Sequence, residues 1–233
     1  SIVWMREGVY GISRCSFLMR TPWKAIFRVF IIKKECFFMT QKQKTHRIAV
    51  AALLAAVAAV LQLVEFSIPV MPAFIKLDVS ELPALIASFA YGPVAGIVVC
   101  LIKNLIKLPS TSTAAVGELF NFVMGALFVG VAGMVYRFKK TRSGAILGAV
   151  LGALVMAIVS VPYNYFIVYP AYVVMYHLPL DAIIGMYQAI NPNVNGLLNC
   201  LLVFNVPFTL CKGLLDVGLC FLIYKPLSPL LHK

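Results

Sequence analysis

Four polar side chains share one face of the last long apolar segment: Asn205, Thr209, Lys212 and Asp216. Their spacing of four, three and four residues places them in one stripe of an α-helix. An amide, a hydroxyl, an ammonium and a carboxyl can together donate and accept hydrogen bonds, which suits binding of a polar ligand. A lysine at the centre of a membrane helix costs about 2.5–3.5 kcal/mol, so it normally faces the bundle interior or a wet cavity. The alternative is an ion pair between Lys212 and Asp216 within the helix.

Other polar residues lie in or near the remaining apolar segments. They are Lys103, Asn104, Lys107, Glu118, Asn121 and Asn164. We interpret them as part of a polar pocket that opens outward and is walled by the fourth to sixth helices and the first outer loop. Two structural alternatives stay open: Lys107 pairs with Glu118 across an outer loop, or Lys103 extends its ammonium to the membrane interface.

Aromatic residues crowd around Asn164. Tyr163 and Tyr165 flank it directly and are placed to frame a planar ligand. Three more aromatic residues follow, namely Phe166, Tyr169 and Tyr172. The alternative for all of them is an aromatic belt at the membrane interface.

Six apolar segments must position these side chains. They run over Ile48–Phe66, Ser80–Tyr91, Val94–Leu108, Glu118–Tyr136, Ser143–Tyr165 and Leu197–Tyr224. Of the 233 residues, 62% are apolar and 12% are charged, whereas a soluble domain has roughly 25% charged residues. We therefore predict an all-α integral membrane protein, a bundle of six transmembrane helices. Ser80 is the predicted N-cap of the second helix, with Pro83 in its first turn.

Basic residues collect at three places along the chain. They precede the first segment, fill the turn between the fourth and fifth, and follow the sixth: Lys42, Lys44, Arg47, Arg137, Lys139, Lys140, Arg142, Lys225 and Lys233. With six spans these places lie on one face of the membrane, so both termini are predicted to be cytoplasmic. Nucleic acid is not needed to explain the net charge of +12, because no basic face carries aromatic residues for base stacking.

Residues 1–38 differ from the rest of the chain. Their most apolar stretch, Phe27–Phe38, is interrupted by Arg28, Lys33, Lys34 and Glu35. It is too short and too charged to span a bilayer. We interpret residues 1–38 as a non-native or disordered extension and residues 39–233 as the six-helix membrane domain.

Small residues form ridges on two predicted helices. They are Ala51, Ala52, Ala55, Ala56 and Ala59 on the first, and Gly144, Gly148 and Gly152 on the fifth. Such ridges let another helix approach closely. We predict packing within the bundle for the glycines, whereas for the alanines an external partner and internal packing are both open.

Motifs of enzymes are missing from the sequence. There is no GxxxxGK[ST], so the chain is predicted not to hydrolyse ATP itself, and HExxH and GxSxG are also missing. The six cysteines are scattered without a CxxC, which is typical of small apolar residues and not of a metal site. We predict no enzymatic activity, no cofactor and no metal, with transport powered by a partner or an ion gradient.

Four motifs occur in a fixed order between about residues 45 and 231. They are Lys76–Pro83 (KLDVSELP), Val116–Phe122 (VGELFNF), Asn164–Phe166 followed by Pro170–Tyr172, and Pro207–Gly213 (PFTLCKG). They resemble, in turn, the first loop and parts of the fourth, fifth and sixth helices of the riboflavin-specific S components (RibU type) of energy-coupling-factor (ECF) transporters. The specificity of this resemblance lies in the order and spacing of the motifs.

The resemblance implies a six-helix protein of the bacterial cell membrane with an outward site for riboflavin, or its phosphate FMN. It also implies a partnership with a transmembrane T component and two subunits that hydrolyse ATP. The family contacts its T component through an AxxxA pattern on the first helix. Ala51, Ala55 and Ala59, or Ala52 and Ala56, match that pattern.

Site residues follow from the same resemblance. In the family, an asparagine on the fifth helix and an asparagine and a lysine on the sixth contact the flavin ring. Asn164 and Lys212 match, whereas Thr209 stands where asparagine is common, and Asn205 is placed to compensate one turn earlier. For the ribityl hydroxyls, the polar candidates are Asp78, Ser80 and the Ser110–Thr113 loop. Glu118, Asn121 and Tyr163 complete the predicted site.

Two rival functions stay open at this point. One is an S component for a different vitamin, since the architecture is shared. The other is a stand-alone channel or ion-coupled carrier in which Lys103, Lys107 and Lys212 line an anion path. A membrane enzyme is the least favoured class.

Overall fold

The computed structural model describes residues 41–68, 71–72, 75–111, 115–177 and 179–231. Its helices are α1 Gln41–Leu63, α2 Glu81–Tyr91, α3 Pro93–Lys107, α4 Val116–Phe138, α5 Arg142–Tyr163, α6 Tyr169–Tyr176, α7 Leu180–Gln188, α8 Leu197–Cys200 and α9 Val206–Leu231. Arg47–Lys233 form one compact unit, and the predicted extension of residues 1–38 lies outside the described residues.

Long apolar helices dominate the described part of the chain. Within it, five helical stretches are long and apolar enough to cross a membrane: Gln43–Leu63, Pro93–Ser110, Val116–Phe138, Arg142–Met175 and Leu197–Ile223. The fifth predicted segment was expected to end at Tyr165, but its helix runs on to Met175. α7 was not predicted at all, because Pro179 and Pro192 on either side of it indicated a loop.

Two π-helical turns keep the long helices continuous across prolines. Asn164–Val168 joins α5 to α6, and Leu201–Asn205 joins α8 to α9. Each turn ends two residues before a proline, Pro170 or Pro207. Because proline lacks an N–H and its ring crowds the carbonyl four residues back, the wider turn accommodates it without breaking the helix. Both turns also carry a polar residue, Asn164 at the start of the first and Asn205 at the end of the second.

The second predicted segment forms the short helix α2. Its 11 residues extend about 17 Å at 1.5 Å per residue, well short of the roughly 30 Å hydrocarbon core. α2 is nevertheless buried along almost its whole length, because it packs against α3, α4 and α9. Ser80 occupies the N-cap position of α2, as predicted, but its side chain makes no capping hydrogen bond. The Ser80 hydroxyl instead contacts the buried charged side chains of Asp78, Glu81 and Lys103.

The glycine ridge of α5 packs within the bundle, as predicted, and its partner is α4. A Cβ at Gly152 would lie 2.5 Å from the carbonyl oxygen of Phe128, and one at Gly148 would lie 2.7 Å from that of Ala132. These distances are far below van der Waals contact, so only glycine permits the two helix backbones to come so close.

The alanines of α1 divide between two faces. Ala55 and Ala59 are buried, whereas Ala52 and Ala56 are exposed beside the exposed Leu53. The exposed face is almost entirely apolar, which is typical of a helix surface that meets lipid or another membrane helix.

A short ribbon follows α1. β1 Phe66–Ser67 pairs antiparallel with β2 Lys76–Leu77, and Phe66 stands opposite Leu77. The ribbon leads directly into Asp78 and α2. Its presence was not predicted, because Pro69 and Pro72 indicated an irregular loop.

Candidate functional site

A cavity lies where the end of α1, the ribbon, the start of α4 and the two π-turns meet. Eighteen residues line it: Gln62, Glu65, Ile75, Lys76, Asp78, Lys107, Gly117, Glu118, Phe120, Asn121, Asn164, Val168, Tyr169, Tyr172, Asn205, Phe208, Thr209 and Lys212. Seven of the predicted substrate-binding residues are among them, whereas Ser80, Tyr163 and the described part of the Ser110–Thr113 loop, Ser110 and Thr111, are not. The polar stripe of the last helix therefore does face the bundle interior.

Lys212 is one of the three lysines that line this cavity. Its Nζ lies 3.0 Å from Asp78 Oδ2 and 3.5 Å from Glu81 Oε2, and it donates to Asn121 Oδ1 at 3.3 Å. The predicted alternative, an ion pair with Asp216, was wrong. Asp216 is 1% exposed, and neither of its carboxyl oxygens has a hydrogen-bond partner among the described residues.

A second buried ion pair lies beside the first. Lys103 Nζ is 3.0 Å from Glu81 Oε1 and donates to the Ser80 hydroxyl at 2.5 Å. Because Lys103 is fully buried, the alternative that it extends to the membrane interface was wrong. Glu81 thus contacts both lysines. Burial of the first turn of α2 brings this carboxylate to them, and a buried cation left unpaired would cost several kcal/mol.

Asp78 lies in the segment between β2 and α2 and contacts the same buried charged groups. Its Oδ1 accepts hydrogen bonds from the backbone N–H and the hydroxyl of Ser80. Burial by itself raises the pKa of Asp78, but the ammonium groups of Lys212 and Lys103 and the Ser80 hydrogen bonds outweigh it and hold the pKa well below its usual range. Asp78 is therefore ionised at neutral pH and serves as the counter-ion of Lys212.

Glu65, which follows α1, forms ion pairs with residues of β2 and α3 beside the cavity. Its two carboxylate oxygens bind Lys76 on β2 and Lys107 at the end of α3. Burial raises the pKa of Glu65, but hydrogen bonds from Lys107 and Lys76 outweigh that effect and lower the pKa. The predicted pairing of Lys107 with Glu118 was wrong, since Glu118 accepts instead from the Thr111 hydroxyl at 2.7 Å.

Two asparagines on the π-turns enter the cavity with defined orientations. Asn164 Nδ2 donates to the Ser160 carbonyl at 2.8 Å. Since a carbonyl oxygen only accepts, the Oδ1 of Asn164 must face the other way. Asn205 Oδ1 accepts from the Tyr187 hydroxyl at 2.9 Å, and that hydroxyl lies 2.5 Å from the hydroxyl of Tyr169. This leaves the amide nitrogen of Asn205 as a donor.

Residues 46–224 match the sequence profile of a family described as the substrate-specific component of ECF transporters. The chain belongs to this family. It is therefore an S component, a multi-pass membrane protein of the bacterial cell membrane.

This S component is similar to proteins from Staphylococcus aureus, Bacillus subtilis and Streptococcus thermophilus. A riboflavin transporter RibU of Staphylococcus aureus (strain TCH60) is 32% identical over 82% of this chain and 95% of the relative. A riboflavin transporter FmnP of Bacillus subtilis (strain 168) is 31% identical over 82% and 96%. A riboflavin transporter RibU of Streptococcus thermophilus (strain ATCC BAA-250 / LMG 18311) is 35% identical over 90% and 95%.

A solved structure shares the fold of this S component. It is described as the structure and mechanism of the S component of a bacterial ECF transporter. It superposes with a TM-score of 0.64 at 32% identity, covering 83% of this chain and all of the other.

Some aromatic residues of this S component lie elsewhere than expected. Tyr169 is 1% exposed, so for this residue the interfacial-belt alternative was wrong. Tyr165 and Phe166 are exposed, as that alternative predicts. Tyr163 does not line the cavity but packs on Phe120, with ring centroids 5.7 Å apart.

Several cavity residues of this S component had no signal in the sequence. Gln62 and Glu65 lie at the end of α1, where isolated polar residues are typical of a helix terminus at the interface. Phe120 and Phe208 were indistinguishable from apolar core residues. Tyr187, which does not line the cavity but whose hydroxyl orients Asn205, was also missed because it belongs to the unpredicted helix α7.

Proposed function

We propose that this S component captures riboflavin and delivers it to an ATP-driven ECF importer. The observation that carries this proposal is that Asn164, Asn205 and Lys212 converge on one cavity with aromatic side chains in its wall. The naming of three relatives as riboflavin transporters supports the same ligand.

The proposed contacts follow from hydrogen-bond complementarity. The pyrimidine edge of a flavin presents two carbonyl acceptors on either side of an N–H donor. Asn164 Oδ1 accepts from that N–H, while the Asn205 amide and the Lys212 ammonium donate to the carbonyls. Asn205, one turn before Thr209, thus makes the ring contact that the family's asparagine makes from position 209. Phe120, Tyr172 and Phe208 provide apolar surface for the rings.

The remaining polar wall suits the ribityl chain of the vitamin. Glu118, Asn121 and Asp78 line the cavity and bear oxygen acceptors for hydroxyl groups. Ser80 acts indirectly, because its hydroxyl binds Asp78 and Lys103 and not the cavity. We propose no chemical conversion of the ligand and no cofactor.

The proposal includes the arrangement in the membrane and the partners. α2 is counted as the sixth, short member of the bundle, so that both termini are cytoplasmic and the cavity opens outward. A T component contacts the exposed face of α1 at Ala52 and Ala56, since Ala55 and Ala59 are buried within the chain. Two ATPases supply the energy. Residues 1–38 are not needed for this function.

The rival ion path has less support. Lys103 and Lys212 are paired with Glu81 and Asp78, and Lys107 shares Glu65 with Lys76, so none of the three lysines lacks a carboxylate partner. Uptake by liposomes that contain this chain without any ATPase partner would favour the rival. Competition by thiamine or biotin at low concentration would favour a different vitamin.

Titration of the purified protein with riboflavin tests the proposal. We expect saturable quenching of flavin fluorescence with submicromolar affinity. Asn164→Leu should weaken binding about 5- to 150-fold, because the flavin N–H would be buried without an acceptor at about 1–3 kcal/mol. The control Asn193→Leu, at an exposed loop position, should leave the affinity unchanged. Absence of saturable quenching by the wild type would remove the proposal.

A further inference from the structure

Gln62 is a buried amide on the wall of the cavity that no sequence pattern singled out. It lies in the last turn of α1 and is 1% exposed. Its neighbours in the cavity wall include Glu65 and Lys107, on the α1 and α3 side, whereas Asn164, Asn205 and Lys212 come from the other long helices. Gln62 therefore faces a different part of a bound ligand from the groups proposed to hold the flavin edge.

A chain of hydrogen bonds fixes the orientation of the Gln62 amide. It begins at the backbone carbonyl of Cys100, which only accepts and binds Asn104 Nδ2 at 2.8 Å. The Oδ1 of Asn104 must then face away from Cys100, and it accepts from Gln62 Nε2 at 2.9 Å. The Gln62 amide is thereby held with its oxygen directed away from Asn104.

The oxygen at the end of this chain is unpartnered. Gln62 Oε1 is buried and has no hydrogen-bond partner among the residues that the structure describes. An unpaired buried amide oxygen costs about 1–3 kcal/mol. Because Gln62 lines the cavity, this oxygen can accept a hydrogen bond from a donor that the described residues do not provide.

We infer that Gln62 Oε1 accepts a hydrogen bond from a hydroxyl of the bound ligand and that Asn104 positions it. This inference rests on the proposed function, and within it the donor is a hydroxyl of the ribityl chain. The flavin ring presents its N–H to Asn164, so the hydroxyls are the donors left for Gln62. Gln62 is thus a specificity residue that favours a flavin with a sugar-alcohol chain over the bare ring.

The test compares two ligands in the full-length protein. Riboflavin carries the ribityl chain, whereas lumiflavin has the same ring with a methyl group in its place. Gln62→Met keeps the shape of the side chain and removes the acceptor. We expect it to weaken riboflavin binding roughly 3- to 10-fold, as loss of one hydrogen bond predicts, and to leave lumiflavin binding unchanged. Gln43→Met, the same substitution at an exposed position of α1, should change neither affinity.

A second variant tests the positioning role of Asn104. Asn104→Leu keeps the Gln62 amide but removes the group that orients it. We expect riboflavin-selective weakening, and no further loss when Asn104→Leu is combined with Gln62→Met. Thermal unfolding identifies variants that do not fold, and Gln62→Asn, which keeps the amide but shortens its reach, then replaces Gln62→Met.

The outcomes separate the inference from the proposed function. Equal weakening of both ligands would mean that Gln62 only supports the fold, and an unchanged riboflavin affinity would mean that it makes no contact. Either result overturns the inference while riboflavin binding by the wild type still stands. Failure of the wild type to bind riboflavin would instead overturn the proposed function.

Discussion

The ammonium of Lys212 lies 3.0 Å from the carboxylate of Asp78, a residue 134 positions earlier in the chain. This ion pair connects the last long helix to the segment between the ribbon and α2. Lys212 is 12% and Asp78 7% exposed in their side chains, so water screens their attraction little. The residue proposed to contact the ligand is thus held by a counter-ion from a distant part of the sequence.

Removal of this counter-ion should destabilise the protein. Asp78→Asn leaves Lys212 with Glu81 as its only carboxylate within 4 Å among the described residues, and we expect the free energy of unfolding to fall by about 3 kcal/mol. Thermal unfolding in detergent measures the change. Asp181→Asn, at an exposed acid, is the matched control, and equal stability of the two variants would argue against a structural role for the pair.

The stability of the wild type should depend on pH in the acid range. Since the pKa values of Asp78 and Glu65 are lowered in the folded state, the unfolded chain binds protons first as the pH falls. The stabilisation is fully present above the unfolded pKa values, about 4, and is lost below them. We expect Tm to be constant from pH 7 to about 5 and to fall below about pH 4. Asp78→Asn should show a shallower fall, and an identical acid profile would contradict the assignment.

The Tyr187 hydroxyl should matter for ligand affinity although it does not line the cavity. Tyr187→Phe removes the donor to Asn205 Oδ1, which frees the amide to rotate. We expect riboflavin binding to weaken roughly 3- to 10-fold, measured by fluorescence titration. Tyr165→Phe, at an exposed tyrosine, should bind like the wild type. Additive losses in a Tyr187→Phe, Asn205→Ala double variant would show that the two residues act separately.

The contact between α4 and α5 should tolerate no methyl group at Gly152. A Cβ there would meet the Phe128 carbonyl, so Gly152→Ala should cost about 1–3 kcal/mol of stability as the helices are forced apart. Gly218→Ala on α9 is the control, because a Cβ at that position meets nothing within 4 Å. It should be neutral or slightly stabilising. Thermal unfolding of both variants decides the matter, and equal Tm values would refute the packing argument.

The exposed alanines of α1 should govern assembly and not ligand binding. Ala52→Leu combined with Ala56→Leu makes the exposed face bulky, so we expect less co-purification with the T component and slower riboflavin uptake by the whole importer. Riboflavin binding by the isolated chain should stay unchanged. The control variant is Ile158→Phe, which enlarges an exposed residue on α5 and leaves the α1 face unchanged. Normal assembly of the alanine variant would place the partner on another surface.

Helical periodicity was sufficient to predict which face of the last helix lines the cavity. Asn205, Thr209 and Lys212 share that face because the π-turn ends at Asn205 and regular α-helix follows. The cost of burying a lysine likewise predicted correctly that Lys212 has partners. Those partners were not predictable, because local spacing favoured Asp216 and the true ones, Asp78 and Glu81, come from a distant segment.

Other features depended on tertiary contacts that leave no local pattern. Ser80 does occupy the predicted N-cap position, but its hydroxyl makes no capping bond because burial next to Lys103 gives it a charged partner. Gln62 and Tyr187 were missed for a similar reason. Each acts through a residue of another helix, Asn104 or Asn205, and such a pairing appears only when the helices are assembled.

The Lys212–Asp78 contact also constrains the order of events during biosynthesis. The carboxylates of Asp78 and Glu81 leave the ribosome early, whereas the lysine that contacts both of them follows only with α9. Stable membrane integration of α9 is expected to depend on the earlier helices already being assembled beside the translocon, since a lone lysine in hydrocarbon is unfavourable. A nascent chain that stalls before α9 would contain Asp78 and Glu81 with Lys103 but without Lys212. Quality-control proteases would then encounter this incompletely paired intermediate.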